Sequence, residues 1–114
     1  MIARHWRGVA REHTAAAYLD HVRTETLPRL KALEGHRGAF VLQRKLGDEI
    51  EFVVLTLWDS LVAVRGFAGE DYEAAVVPPE ARRLLAQFDE RVAHYEVSTD
   101  SAEGDGIVAG GGSL

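Results

Sequence analysis

The chain has 114 residues, 46% of them hydrophobic, and its 13 Lys and Arg against 18 Asp and Glu leave a formal charge of −5. This is the size and balance of one globular domain, and its scattered arginines exclude a general binder of nucleic acid or acidic membrane, which needs clustered cations. With no cysteine there is no disulfide, thiol nucleophile, thiolate zinc site or iron–sulfur cluster. The opening "MIARHWRGVA" lacks the apolar run of a signal peptide, and no stretch approaches the length that spans a bilayer. The expectation is a cytoplasmic protein without membrane attachment, partnered by a small molecule or another protein chain.

Ile2 to Val9 reads as a short strand, with Ile2, Arg4, Trp6 and Gly8 on one face and Ala3, His5, Arg7 and Val9 on the other. Thr14 is the expected N-cap of a first helix, whose apolar stripe runs through Ala15, Tyr18, Leu19, Val22, Thr26, Leu30 and Leu33. Pro28 removes a backbone donor inside that helix and predicts a kink or a loosened turn; Gly35 closes it. "HRGAFVLQRKLGDEIEFVVLTLW" then reads as two strands around a Gly47-Asp48 turn. The second of these, "FVVLTLW", is too apolar to leave one face in water.

Asp59 or Ser60 caps a second helix whose Leu61, Val64, Phe67 and Ala68 share a side, and Gly69 ends it. A turn around Ala74-Ala75 leads to a third helix from Pro79, a residue favoured in a first helical turn. "ERVAHYEV" is the last strand. From residue 99 the Gly-rich sequence has no periodicity and reads as a disordered tail on a domain of residues 1–98. Strand, helix, strand, strand, helix, strand makes two βαβ-like halves. The expected fold is a ferredoxin-like α+β domain, a four-stranded antiparallel sheet with helices on one face. The third strand, apolar on both sides, then needs a second copy of the chain, so a homodimer packed sheet against sheet is expected.

"MIARHWRG", "TLWDS…VRGFAGEDYEAAVVPPE" and "HYEV" together resemble the antibiotic biosynthesis monooxygenase superfamily over about Ile2 to Val97. Trp58, Ser60 and Phe67 match, in order, its tryptophan at the end of the third strand, the serine two residues on, and the aromatic of the following helix. The resemblance implies a homodimeric α/β barrel and a ligand pocket between sheet and helices. It also implies cofactor-independent oxygenation of a small aromatic, polyphenol or quinone-type substrate. The alternative is a non-catalytic relative that binds a small apolar ligand.

Such oxygenation needs an apolar slot, a proton acceptor and donors for a developing oxyanion. The strand histidines His94 and His5 are the candidate acceptors, since imidazole titrates near neutrality. Trp58, Trp6, Tyr72, Phe52 and Phe67 are the candidate substrate-binding residues, with Val54 and Thr56 sharing Trp58's face by strand alternation. Arg7 is a surface ion pair or an anion site, whereas His13, His21 and His36 read as solvated. In haem-degrading relatives an iron-binding histidine follows an aromatic-x-Ala-Ala stretch; here Val76 follows Tyr72-Glu73-Ala74-Ala75. No cofactor is therefore expected, and no two histidines have metal-ligand spacing.

Overall fold

The structure, a computed structural model, describes residues 1–99. From residue 100 on, the expected tail lies outside the described residues. β1 (Ile2–Arg11) runs directly into α1 (Glu12–His21), followed by a π-helical turn (Val22–Thr26) and α2 (Leu27–Lys31). β2 (His36–Leu46) and β3 (Glu49–Trp58) form the hairpin, α3 (Leu61–Ala68) and α4 (Pro79–Leu84) follow, and β4 (Gln87–Phe88) and β5 (Ala93–Glu96) end the domain. The antiparallel sheet has the order β2-β3-β1, with β4 and β5 both paired to the far edge of β1. This is the ferredoxin-like α+β fold. The expected last strand, "ERVAHYEV", is shortened to β5, because residues 90–92 pair with the loop after α3 instead, and β4 is a short strand within the stretch read as the third helix.

Local chemistry sets the joints. Gly47 has φ 61° and Asp48 a negative φ, the pattern of a type II′ hairpin turn, which Gly in first place permits. Ser60 accepts a hydrogen bond at Oγ from the Ala63 N–H, capping α3. Thr14, by contrast, caps nothing: α1 begins at Glu12, and the Thr14 hydroxyl donates to the Leu84 carbonyl at 2.9 Å. The strand enters the helix without a loop, and the Glu12 N–H is met by the carbonyl of Asp48. Pro28 has the loosened turn ahead of it: the Leu27 N–H reaches back five residues to Val22, one residue further than in an α-helix.

The helix-facing side of the sheet carries Ile2, Arg4, Trp6, Gly8 and Ala10 of β1 opposite Trp58, Thr56, Val54, Phe52 and Ile50 of β3. Two apolar clusters form on it. Ala10, Tyr18, Val22, Phe52 and Ala81 make one; Leu30, Trp58 and Val64 make the other. Among the described residues no helix lies over the opposite side of the sheet. Phe40, Leu42 and Tyr95 are exposed there, beside half-covered Val53, Leu55 and Leu57. No helix among the described residues is long and apolar enough to cross a membrane.

Glu51 stands at one end of that helix-free side between Arg7 and Arg44, which both donate to its carboxylate. The expected surface pairing of Arg7 is thus what the sheet contains. Arg44 first and Arg7 second hold the carboxyl of Glu51 down at about 2. A carboxyl depressed in the folded state stabilises the fold above its unfolded pKa, and the contribution is lost as pH falls toward the folded value. Glu51→Gln should therefore melt lower than wild type near neutrality. The gap should narrow between about pH 4.5 and pH 2 in thermal melts followed by circular dichroism.

Candidate functional site

A pocket opens between the sheet and the helices, where two-layer folds leave a gap. Its floor is Arg4 and Trp6 of β1 with Val54 and Thr56 of β3. Its roof is Tyr18, His21, Val22, Thr26 and Leu30, and Phe67 and the Val76-Val77-Pro78 segment close its sides. The inner slot is narrow, a cavity of about 70 Å³, and it widens toward an open mouth. At the mouth the lining turns polar, with Glu25, Arg29 and Glu80 joining His21. The π-helical turn supplies two of the roof residues, Val22 and Thr26.

Trp6 lies flat on the sheet over Gly8: a Cβ on Gly8 would sit 2.4 Å from its ring. The indole N–H donates to the Asp89 carbonyl at 2.9 Å, fixing the ring as part of the floor. Phe67 presents one face toward Arg4, whose guanidinium carbon is 5.6 Å from the ring centroid, and stacks the other on Trp58 at 5.4 Å. Trp58 is completely buried, donates its N–H to the Thr56 hydroxyl, and lines none of the pocket. It backs the wall that Phe67 and Thr56 form. Phe52 is likewise core, against Tyr18 at 4.9 Å.

Arg4 is the residue that sequence reasoning missed. It is 4% exposed, and no carboxylate among the described residues pairs with it. Its Nη1 donates to the Tyr72 carbonyl at 2.5 Å and reaches the His94 Nε2 at 3.0 Å; its Nη2 donates to the Ala74 carbonyl at 2.9 Å. These bonds use three of the five guanidinium N–H groups. Burial lowers its pKa to about 10, so at neutral pH it remains a cation on an apolar wall. The signal was present in the alternation that put Arg4 between Ile2 and Trp6. An arginine sharing a face with two large apolar residues must be buried with partners.

His94 stands behind Arg4 instead of in the pocket. Because arginine only donates, the imidazole must accept at Nε2 and carry its proton on Nδ1, which is buried without a partner. Burial first, and the charge of Arg4 second, lower its pKa, against the opposing pull of Glu73. Tyr72 packs edge-on against this ring at 5.3 Å and under the Arg65 guanidinium, so it anchors the loop outside the pocket lining. His5 pairs with Ala93 and Leu55 on the helix-free face. The two strand histidines therefore point to opposite sides of the sheet. His21, expected in solvent, lines the pocket, and its Nε2 is buried without a partner. His36 packs edge-on against Trp58 at 5.0 Å instead of standing free, whereas His13 is exposed as expected.

No family model and no curated protein matches the sequence. Among solved structures, a Bacillus cereus protein assigned provisionally to the antibiotic biosynthesis monooxygenases superposes with a TM-score of 0.61 at 20% identity, over 89% of this chain and 94% of that one. A Deinococcus radiodurans protein with the same provisional assignment gives 0.61 at 17%, over 88% and 95%. The haem-degrading MhuD of Mycobacterium tuberculosis, with two haems in its active site, gives 0.57 at 16%, over 88% and 98%. The chain thus has the fold of the antibiotic biosynthesis monooxygenase proteins, as its sequence resemblance implies. Val76, at the place where that resemblance puts an iron-binding histidine, lines the pocket with a hydrocarbon side chain. The residues at that place do not fit haem ligation.

The burial of Trp58 has a measurable consequence. Trp58→Phe removes apolar area and leaves the Thr56 hydroxyl without its donor, which should cost about 1–3 kcal/mol of stability. Affinity for flat aromatics should change less than twofold. Phe67→Ala should cost stability as well, through the lost Trp58 stack, and should also weaken binding, because Phe67 lines the pocket. Denaturant melts and quenching of the Trp6 fluorescence separate the two effects.

Proposed function

We propose that the pocket binds a small flat aromatic bearing an acidic oxygen, and that the chain oxygenates it as a cofactor-independent monooxygenase acting as a cytoplasmic homodimer. The observation that carries this reading is Arg4. A buried guanidinium with no carboxylate is costly unless an anion completes the site, and two of its N–H groups are unclaimed. The walls around it, Trp6, Tyr18 and Phe67, suit an aromatic ring.

The chemistry follows from charge. Loss of a proton from a phenol or from the carbon beside a ring carbonyl leaves an electron-rich anion that can reduce dioxygen. For an anthrone-type methylene the sum is CH2 + O2 giving C=O + H2O, with all four electrons that reduce dioxygen drawn from the substrate. Arg4 stabilises the oxyanion in a site where water is scarce and the attraction is strong. His94 acts by holding the guanidinium at Nη1, together with the Tyr72 and Ala74 carbonyls, so it is a positioning residue.

One observation favours the second reading, a binder without turnover: His94, the expected proton acceptor, spends its Nε2 on Arg4 and does not reach the pocket. Arg4→Met should weaken binding of naphthol on the order of ten- to hundredfold, the worth of a charge-assisted hydrogen bond. It should also abolish any oxygen uptake measured with an electrode on anthrone substrates. Binding that needs Arg4 without oxygen uptake supports the binder. Binding indifferent to Arg4 refutes both readings.

The dimer rests on the helix-free side of the sheet, where Phe40, Leu42, Val53, Leu55, Leu57 and Tyr95 form one apolar surface beside the Arg7–Glu51–Arg44 cluster. A second copy related by a twofold axis would cover it with the same residues. Sedimentation at micromolar concentration should give the mass of two chains, and Leu55→Glu should give one. A wild-type monomer would contradict the assembly.

A further inference from the structure

We infer that His21 is the second polar anchor of the pocket and the group that takes a proton from the bound ligand. The preferred ligand is then a flat aromatic carrying two oxygens, one held by Arg4 and one by His21. The inference rests on the pocket's being a ligand site, as proposed above, and adds what the ligand must carry.

His21 Nε2 is shut from solvent and has no hydrogen-bond partner. A buried polar atom left unpaired destabilises the folded protein; the Nδ1 atoms of His36 and His94 are also buried and unpaired, but of the three histidines only His21 lines the pocket. Its ring lines both the inner slot and the mouth. It comes from α1, on the roof, while Arg4 comes from β1, on the floor. The pocket therefore has two polar poles on opposite layers, with Trp6, Tyr18, Phe67 and Val54 as apolar walls between them.

The two poles are chemically unlike. Arg4 only donates and is always charged, so it suits an oxygen that is or becomes an anion. A neutral imidazole nitrogen accepts, so it suits a hydroxyl, and on accepting the proton it becomes imidazolium and leaves an aryloxide. No bond other than O–H breaks in this step. Glu25, Arg29 and Glu80 line the mouth beside His21. Among the histidines, His94 is committed to Arg4 and His5 lies on the other side of the sheet. This makes His21 the one imidazole on the pocket wall among the described residues.

The test compares naphthol with isomers of dihydroxynaphthalene, titrated under argon against the full chain, with binding read by tryptophan fluorescence. Wild type should bind its best diol at least tenfold tighter than naphthol. His21→Leu should bind naphthol like wild type and lose the advantage of the diol, whereas Arg4→Met should weaken both. Without ligand, His21→Leu should melt no lower than wild type, because the unpaired nitrogen is gone; a merely structural histidine would lose stability on the same change. A diol advantage that survives in His21→Leu overturns the inference and leaves the pocket reading intact. Failure of wild type to bind any of these aromatics overturns both.

Discussion

The structure turns on a single buried cation. Arg4 leaves the middle of the sheet through the helix-facing side and ties three separate parts of the chain together. It meets the carbonyls of Tyr72 and Ala74 in the loop after α3, the imidazole of His94 on β5, and the ring of Phe67 on α3. A guanidinium suits this because its donors are fixed in a plane and it remains charged when buried. Lysine in its place would offer a point charge and lose the fork. The loop is held a second time by Arg91, which is bidentate to Asp71 and also reaches Glu73. Together these contacts set the Val76-Val77-Pro78 wall at the edge of the pocket.

Behind this, aromatic packing supplies rigidity. His36 packs edge-on against Trp58, Trp58 stacks on Phe67, and Arg4 lies over Phe67, a row that runs from β2 to the pocket. Trp58 is its buried member, with its N–H satisfied inside the core. That explains a tryptophan at the strand-to-helix corner: it packs against Val64 and Phe67 of α3 and backs Phe67 at the pocket wall. Gly35 serves the same corner. It has φ 83°, and a Cβ there would come within 2.5 Å of Ala63, so the chain can pass close to α3 only with glycine.

The order of elements, the Gly47-Asp48 turn, the Ser60 cap and the loosened turn at Pro28 were legible because each depends on local chemistry. The site was legible only in part. Trp6 and Phe67 lie in the pocket as alternation and resemblance suggested, but Trp58 and Phe52 are one layer deeper. Alternation gives the face of a strand and not the depth of a side chain within it. His5 and His94 were ambiguous because "IARHWRGV" mixes polar and apolar residues on both faces. Pairing of Arg4 with His94, and of His5 with Ala93, resolves them. His21 was misplaced on the wheel. It stands three residues after Tyr18 in regular α-helix, at the border of the apolar stripe, and so reaches the same pocket.

The central claim is that the pocket is an apolar slot made positive by Arg4. The most direct measurement is the ionisation of a bound phenol, followed by the ultraviolet absorbance of naphthol against pH with the protein in excess. A slot that stabilises the oxyanion lowers the phenol's pKa below its value in water, and Arg4→Met raises it above that value, since burial alone disfavours the anion. A bound pKa raised in the wild type would contradict the account, because the buried guanidinium would then be serving the fold and not the ligand.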